Sequence, residues 1–373
     1  MIDDAPLPPQ ARRVEWLDVE SLPPGEVTRL LVELVDDGLG RPIRVPVLVA
    51  RGARPGPVFG LTAALHGNEI NGIPVLQRLF AGLDPQRIRG TVVGVLVVNV
   101  PGFLLHQREF NDGRDLNHLM PGKRDGSVSE QYAHRLVDRV VRHFNFLVDL
   151  HTASTGRVNS LYVRADLKNP TTARMAGTLR PEIALHNPAS DRTLRGTAME
   201  LGIPAVTLEI GNPQRFQKRY IKDSLAGLQG LMGEFGLLPK RKASRRPGLT
   251  VCSRSSWLYT RTGGLLEVFP EVRDRVEKGE RVAQLRTVFG DVAEEYFAPV
   301  AGVVIGKSTD PVGPAGARIL HLGVLGVEQD AFLLDGHDEE AAPAPEAGGT
   351  EADEPQGSEG TTDRPDGPPE EGW

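Results

Sequence analysis

The chain has 373 residues, of which 39% are hydrophobic and 25% charged, and its formal net charge is −6. This balance excludes a fibre, a disulfide-rich scaffold and a wholly disordered chain. The only cysteine, Cys252, excludes an internal disulfide and a cysteine-rich zinc site. Residues 337–373 contain twelve Asp or Glu and one Arg, so residues 1–336 carry a net charge of +5. A mildly cationic body favours anionic small molecules as substrates.

The sequence does not indicate a nucleic-acid or membrane partner. It contains no basic groove signature and no nucleic-acid-binding motif. The first residues lack the basic and apolar regions of a secretory signal. The longest apolar stretch, 92–100, is far shorter than the roughly 20 residues that a membrane helix needs. We therefore expect a cytoplasmic protein that binds neither nucleic acid nor membrane.

Residues 41–238 alternate between apolar, strand-like segments and amphipathic, helix-like segments. This alternation is typical of an α/β domain with a sheet covered on both faces. The predicted strands are 58–65, 91–100, 146–150 and 204–208, and the predicted helices are 69–83 and 129–144. The sequence predicts a mixed, mostly parallel sheet flanked by helices, in a catalytic domain over residues 1–238 with its core from about 41.

Three further segments follow the predicted catalytic domain. Residues 239–248 are basic, contain two prolines and are expected to form a linker. Residues 249–335 contain short strand-like segments broken by Gly, Pro and Asp turns, which predicts a small all-β domain. We expect this domain to border the mouth of the active site or to mediate contacts in a homo-oligomer. The acidic tail over 336–373 is predicted to be disordered.

Polar side chains that can bind a metal follow the first of the four strands. His66 leaves the strand, and Glu69 lies three residues further on, where the next helix opens. Side chains with this spacing can converge on one ion, and imidazole and carboxylate are both zinc ligands. An equally simple interpretation is a hydrogen-bonded histidine and a glutamate in the first turn of a helix, where the helix dipole favours it.

A second candidate ligand, His151, ends the strand 146–150. Because side chains alternate along a strand, Asp149 lies on the same side and can orient this imidazole. A lone histidine at a strand end is more often structural. Together with His66 and Glu69, however, it completes the three-ligand arrangement of a catalytic zinc site.

Glu209 follows the apolar strand 204–208 and is carried towards the same sheet edge. A buried carboxylate there needs a metal, a cation or water as a partner. Beside a metal-activated water it can serve as the general base, and the alternative is a salt-bridged glutamate at a strand end.

A loop over residues 107–118 supplies hydrogen-bond donors. Arg108, Arg114 and Asn117 are suited to bind an oxyanion or a substrate carboxylate. Taken alone, the segment also fits an ordinary surface loop that is rich in arginine.

The order of these motifs resembles the succinylglutamate desuccinylase/aspartoacylase family, a branch of the zinc carboxypeptidase superfamily. The resemblance covers about residues 40–330 and depends on H-x-x-E, then R…DLN, then DLH, then a strand-end E-x-G. It implies a zinc carboxypeptidase-like fold and one zinc ion per subunit, bound by His66, Glu69 and His151. Glu209 would activate the zinc-bound water.

The resemblance also implies roles for the loop residues. Arg108 would polarise the scissile carbonyl, and Asn117 would help to hold the substrate carboxylate. The family usually has an arginine after DLN, whereas this chain has His118. Either Arg114, Arg124 or Arg195 takes over the missing carboxylate contact, or the substrate is not an ordinary acyl amino acid.

The sequence thus predicts a zinc-dependent deacylase that hydrolyses an amide of a small N-acylated amino acid or related amine. Two alternatives stay open at this point. One is a metallocarboxypeptidase or amidase that acts on short peptides or cell-wall fragments. The other is a metal-binding protein whose active site has decayed, which His118 alone would support.

Overall fold

A 14-stranded mixed sheet runs through the residues that the computed structural model describes, 11–189, 192–240 and 248–326. Its strand order is β1-β2-β3-β5-β4-β6-β10-β8-β9-β11-β18-β16-β13, with β7 paired to β16, and β15-β14-β12-β17 form a second sheet. The strands are β1 (Ala11–Val14), β2 (Glu26–Asp36), β3 (Pro42–Arg51), β4 (Arg54–Ala63), β5 (Arg89–Val95), β6 (Phe146–His151), β7 (Arg157–Asn159), β8 (Leu161–Ala165), β9 (Ile183–His186), β10 (Ala205–Ile210), β11 (Thr250–Tyr259), β12 (Gly264–Val268), β13 (Arg275–Val276), β14 (Arg281–Arg286), β15 (Val292–Phe297), β16 (Gly302–Ser308), β17 (Val312–Gly313) and β18 (Arg318–Leu325).

Helices cover both faces of this sheet. They are α1 (Gly72–Gly82), α2 (Val100–Leu104), α3 (Val128–Arg139), α4 (Pro170–Thr178), α5 (Leu194–Glu200) and α6 (Lys218–Glu234). The helices α1, α4 and α6 pack into one apolar core, and α3 and α5 pack into another. Two cores on opposite faces explain why the central strands β6 and β10 are mostly apolar, with polar residues towards their carboxyl ends. Within the described residues, none of the helices has the length and hydrophobicity that a membrane crossing requires.

The strands that carry the candidate site run in one direction. The strands β5, β4, β6 and β10 are neighbours and pair in parallel. The strand β8 then pairs antiparallel with β10, and β3 pairs antiparallel with β5. The predicted α/β fold with a mixed sheet and flanking helices is therefore confirmed.

The helix predicted over 69–83 begins only at Gly72, so Glu69 lies in the turn before α1 rather than in its first turn. Two further boundaries differ from the prediction by five residues, and the others by four or fewer. The strand predicted over 91–100 ends at Val95, and the last residue of that segment, Val100, begins the helix α2. This helix begins there because the side chain of Asn99 accepts a hydrogen bond from the backbone N–H of Gly102. The helix predicted over 129–144 ends at Arg139 and is followed by a short 3₁₀ turn over Val141–His143.

The C-terminal β region continues the main sheet. The strand β11 pairs in parallel with β9, and β18, β16 and β13 follow in antiparallel order. The sequence predicts that this part of the chain is all-β, which is confirmed, and the structure shows its strands to be mostly antiparallel. The predicted boundary near residue 249 stays a prediction, because the sheet runs across it. Residues 241–247 of the predicted linker and the predicted acidic tail lie outside the described residues.

Candidate metal centre and active site

The candidate site lies at the carboxyl ends of three parallel strands. Ala63, the last residue of β4, pairs with Leu150 of β6, and His151 pairs with Glu209 of β10. His66 follows the end of β4 by three residues. Parallel pairing therefore brings residues that are far apart in the sequence to one edge of the sheet, where α/β proteins bind their ligands.

Two imidazoles and one carboxylate converge at this edge. The Nδ1 atom of His66 lies 2.8 Å from Oε1 of Glu69, and the Nδ1 atom of His151 lies 3.0 Å from Oε2 of Glu69. The two Nδ1 atoms are 3.2 Å apart. All three side chains are buried, with exposed fractions of 4% or less.

This donor set fits a divalent cation. Zinc ligands in a tetrahedral arrangement lie roughly 3.4 Å from one another, given metal–ligand distances of about 2.1 Å. The ligand atoms of His66, Glu69 and His151 all lie within 4.8 Å of one another, and nitrogen and oxygen donors suit zinc. Three protein ligands leave one coordination position for water or substrate, as in catalytic zinc sites.

Neighbouring groups fix these three side chains. The Nε2 atom of His151 lies 2.6 Å from Oδ2 of Asp149. The other carboxylate oxygen of Asp149, Oδ1, accepts a hydrogen bond of 2.7 Å from the Thr62 hydroxyl. The backbone N–H of Thr152 donates to Glu69. The carboxylate of Asp149 thereby leaves Nδ1 of His151 facing the other donors, as an outer partner of a metal ligand does.

Electrostatics within the cluster favour charged forms. Burial acts to lower the pKa of His151, but Asp149 and Glu69 outweigh it and hold the pKa well above its usual value. Burial acts to raise the pKa of Glu69, and the two imidazoles hold it well below its usual value. The ionised carboxylate suits a cation, whereas His151 can bind a metal only after it loses its proton.

The turn that carries His66 and Glu69 packs tightly against helix α2. A Cβ atom on Gly67 would lie 2.0 Å from the backbone carbon of Gly102 and 2.1 Å from the backbone nitrogen of Phe103. Gly67 does not have a positive φ angle, so glycine is required here because the two backbones approach each other closely. The two backbones thus hold the candidate ligands in place.

Arg108 lies directly beside the three candidate ligands. Its guanidinium donates to Oε1 of Glu69 and to the hydroxyl of Ser154, both at 2.9 Å, and two of its nitrogens donate to Oδ2 of Asp115. The other oxygen of Asp115 lies 3.1 Å from Nε2 of His66. Asp115 therefore joins Arg108 to a candidate ligand, a partner that the sequence analysis did not assign.

Glu209 faces the same cleft from β10. Its Oε1 atom lies 3.3 Å from Nε of Arg164, and its Oε2 atom accepts a long hydrogen bond of 3.4 Å from Nδ2 of Asn159. Arg164 also donates to the hydroxyl of Tyr162. Glu209 is 8% exposed, so it is a largely buried carboxylate with a cationic neighbour and an opening to the cleft.

The proposed substrate-binding residues fall into two groups. Asn117, His118 and Arg195 line the cleft, although the His118 side chain is 73% exposed and lies at its rim. Arg114 does not line it: its guanidinium donates to the Ser127 hydroxyl and pairs with Glu130 at the start of α3. Arg124, the other arginine considered from the sequence, does not line the cleft either.

Arg195 is a buried cation at the base of the cleft. Its guanidinium donates to the backbone and side-chain oxygens of Asn187, both at 2.7 Å, and has no carboxylate partner among the described residues. Burial and the neighbouring Arg164 lower its pKa to about 10, so it stays charged near neutral pH. The side chain of Asn117 accepts from the backbone N–H of Leu194, which connects the loop after β5 to the helix that carries Arg195.

The cleft has a volume of about 450 Å³ and a cationic lining. Several residues of the cleft could not be predicted from the sequence because they come from β7, β8 and the C-terminal β region, whose positions depend on long-range strand pairing. These residues are Arg157, Asn159, Tyr162, Arg164, Trp257 and Arg318. The local signal that the sequence did offer was the charged residue Arg164 within an apolar strand.

Solved structures share this arrangement of sheet and C-terminal β region. The product-bound ectoine utilization protein EutE (DoeB) from Ruegeria pomeroyi is 22% identical, with a TM-score of 0.74 over 82% of this chain and 98% of that chain. A succinylglutamate desuccinylase/aspartoacylase from Rhodobacter sphaeroides is 20% identical, with a TM-score of 0.74 over 83% of this chain and 98% of that chain. At these identities the likeness is one of fold.

Sequence comparison identifies the family. Residues 55–234 match the succinylglutamate desuccinylase/aspartoacylase catalytic domain. The N-alpha-acetyl-L-2,4-diaminobutyric acid deacetylase of Halomonas elongata is 26% identical over 287 residues, which cover 73% of this chain and 83% of that protein. Residues 55–234 therefore form a catalytic domain of the succinylglutamate desuccinylase/aspartoacylase family.

Proposed function

We propose that this protein is a zinc-dependent hydrolase that cleaves the amide bond of a small, anionic N-acylated amino acid. The observation that carries the proposal is the convergence of His66, Glu69 and His151 beside Glu209 in a cationic cleft. Family membership supports amide hydrolysis, and the Halomonas elongata relative is named as a deacetylase.

His66, Glu69 and His151 would hold the zinc ion. When bound, zinc would supply the acidity that makes water a nucleophile near neutral pH and the positive charge that polarises a carbonyl. The contact between Asp149 and His151 keeps the Nδ1 atom directed towards the other donors.

Glu209 is proposed as the general base. Its position one strand from His151 supports a proton transfer from the attacking water to its carboxylate and then to the leaving nitrogen. Arg164 and Asn159 contact its two oxygens and fix its orientation. These contacts explain how the buried carboxylate of Glu209 keeps its orientation although it is not one of the three candidate metal ligands.

Arg108 is proposed to stabilise the oxyanion that forms when water attacks the carbonyl. Asp115 holds its guanidinium by two hydrogen bonds, so the donor is oriented before the reaction begins. A preorganised donor beside developing negative charge is a large contributor to catalysis in acyl transfer. The contact of Arg108 with Glu69 supports this placement.

Arg195 is proposed to take over the carboxylate contact that His118 does not supply. The guanidinium is buried at the base of the cleft, whereas the imidazole of His118 lies exposed at the rim. Arginine binds a carboxylate with two parallel hydrogen bonds, which a histidine cannot do. Asn117 is proposed to assist from the adjoining loop.

The charges of the cleft support an anionic substrate. Every carboxylate among its described lining residues already has a cationic or imidazole neighbour; these are Glu69, Asp115 and Glu209. None is left to bind an amine. The substrate in the name of the Halomonas elongata relative carries a free amino group, and we propose that this chain prefers an acidic compound instead.

A substrate panel tests this function. Zinc-loaded protein is incubated with N-acetyl-L-aspartate, N-acetyl-L-glutamate, N-alpha-acetyl-L-2,4-diaminobutyrate and the dipeptides Ala-Asp and Ala-Glu, and the release of primary amine is measured. We expect kcat/KM for the acidic N-acyl amino acids to exceed that for the diaminobutyrate compound by at least about tenfold, since one charge-assisted hydrogen bond is worth roughly 1.5–3 kcal/mol.

Other outcomes of the panel would contradict the proposal. Preferential hydrolysis of the dipeptides would identify a metallopeptidase instead. Bound zinc without turnover of any compound would favour the metal-binding protein with a decayed site.

A further inference from the structure

Two side-chain amides connect the end of the strand that carries Glu209 to the helices α1 and α6. The Nδ2 atom of Asn71 donates to the backbone carbonyl of Ile210 at 2.8 Å and to Oε1 of Gln217 at 3.0 Å. The Oδ1 atom of Asn71 accepts from the backbone N–H of Gln217 at 3.0 Å. Oε1 of Gln217 also accepts from the backbone N–H of Asn212 at 2.6 Å. Asn71 and Gln217, here named the amide pair, therefore hold the turn that follows Glu209.

Both members of the amide pair stand at the start of a helix without capping it. Asn71 is the N-cap residue of α1 and Gln217 that of α6, and neither side chain accepts a hydrogen bond from its own helix. Asparagine is favoured at this position because its side-chain oxygen accepts from one of the first backbone N–H groups of the helix. In Asn71 that oxygen is bound to Gln217 instead. The amide of Asn71 therefore stabilises the turn after Glu209 rather than the N-terminus of α1.

The turn after Glu209 has little freedom to move. Gly211 has a φ angle of +65°, and a Cβ atom at this position would lie 2.3 Å from Oε1 of Gln217. The carbonyl of Gly211 accepts a hydrogen bond of 2.8 Å from the backbone N–H of Ala153, which lies two residues after His151. The backbone beyond the proposed base is therefore attached both to the amide pair and to the strand end that carries a candidate ligand.

The direct contacts of the Glu209 carboxylate are long for hydrogen bonds. Arg164 lies 3.3 Å from one oxygen and Asn159 lies 3.4 Å from the other. These contacts orient the carboxylate, but its distance from the candidate ligands depends on where the backbone of β10 lies. Asn71 is wholly buried and follows the candidate ligand Glu69 by two residues. The amide pair thus connects the turn of one candidate ligand to the strand end of the proposed base.

We propose that Asn71 and Gln217 are positioning residues, which set the distance between the carboxylate of Glu209 and the three candidate ligands. This inference rests on the proposed amide hydrolysis and adds two residues to it. Neither residue is among the described residues that line the cleft, so both act through Glu209 and not through the substrate. The rate is sensitive to such positioning, because a misplacement of about 1 Å can lower it about 100-fold.

Replacing Gln217 tests the amide pair with little risk to folding, because this side chain is half-buried, whereas Asn71 is wholly buried. Gln217→Met keeps the length of the side chain and removes the acceptor for Asn71 and Asn212. We expect kcat on the best substrate of the panel to fall by about 10–100-fold, with KM and the zinc content unchanged. Steady-state kinetics and elemental analysis measure these effects, and an unchanged kcat would overturn the proposal.

Two further variants separate positioning from a general effect. Only the oxygen of the Gln217 amide has a hydrogen-bond partner among the described residues. Gln217→Glu keeps an acceptor oxygen, places a negative charge at a helix N-terminus and should restore kcat to within about threefold of the wild type. Gln86→Met makes the methionine change at an exposed position outside the cleft and should leave kcat within about twofold. A Gln217→Glu protein as slow as Gln217→Met would contradict the role of the acceptor.

A double-mutant cycle with Glu209→Gln distinguishes positioning from a structural role. If the amide pair acts through Glu209, adding Gln217→Met to Glu209→Gln should change the remaining kcat by less than about twofold, because the positioned group is already absent. A merely structural role would lower kcat by the same factor in both backgrounds, and that result would overturn the proposal.

Crystal structures of the wild type and of Gln217→Met provide a measurement that needs no turnover. In the variant, the carboxylate of Glu209 should move by at least about 0.5 Å relative to Nδ1 of His151, since a catalytic group must be held within about that distance. If the wild type hydrolyses no compound of the panel but the carboxylate moves in this way, the proposed function fails and the positioning role stands. A carboxylate that stays in place would refute the positioning role.

Discussion

Replacing Glu209 by glutamine is expected to lower kcat by about 10³-fold, within the range that general acid–base catalysis contributes. The substitution keeps the size of the side chain and removes the group that accepts the proton from water. Since Glu209 is not one of the three candidate ligands, the zinc content should stay at one ion per chain. Steady-state kinetics on the best substrate of the panel, together with elemental analysis, measures both effects.

A matched control accompanies this variant. Glu200→Gln makes the same chemical change at an exposed position at the end of α5, outside the cleft, and should leave kcat within about twofold, as surface substitutions usually do. A Glu209→Gln protein that retains both zinc and wild-type kcat would remove Glu209 from the mechanism.

Changes to the metal cluster should give a graded loss of zinc. His151→Ala removes one of three protein ligands, and we expect less than about 0.1 zinc ion per chain after dialysis, because a catalytic zinc site needs all three. Asp149→Asn keeps the ligand but weakens its orientation, and should reduce zinc affinity by about 10–100-fold. Elemental analysis and competition with a chelator of known affinity provide the two measurements.

The histidine control lies outside the cleft. His143→Ala removes an exposed imidazole from the short turn after α3 and should not change the zinc content. If His151→Ala bound zinc as tightly as the wild type, the assignment of this ligand would be wrong. If Asp149→Asn lost no affinity, the 2.6 Å contact would be structural only.

The fold class could be predicted because its signal is local. Apolar strands that alternate with amphipathic helices specify a covered sheet, and parallel strands place their carboxyl ends on one edge. The four candidate site residues lie at or just beyond such strand ends; they are His66, Glu69, His151 and Glu209. The alternation of strands and helices in the sequence therefore already predicts that they lie close together. Their chemical roles stay predictions.

The cleft walls could not be predicted because they depend on long-range pairing. Nothing in the sequence around Tyr162 and Arg164 indicates that β8 inserts antiparallel beside β10. Likewise, the pairing of β9 with β11 connects the C-terminal β region to the sheet and brings Trp257 and Arg318 to the cleft. Such contacts join segments that local patterns treat separately.

Two neighbouring residues of one loop show that a sequence motif does not specify which side chain faces the cleft. Arg114 and Asp115 adjoin in the sequence, and a donor-rich loop suggests that the arginine faces the substrate. The structure instead directs Arg114 to Ser127 and Glu130, while Asp115 contacts Arg108 and His66. Which side chain of a loop enters a cleft depends on backbone angles and caps that residue type alone does not specify.

Anomalous diffraction at the zinc absorption edge tests the central claim most directly. In crystals of the full chain grown with zinc, the anomalous difference map should show one strong peak, about 2.0–2.2 Å from the candidate donor atoms of His66, Glu69 and His151. Its coordination should leave one position facing Glu209. A map in which these side chains hold no peak, while the protein still hydrolyses an N-acyl amino acid, would contradict the account.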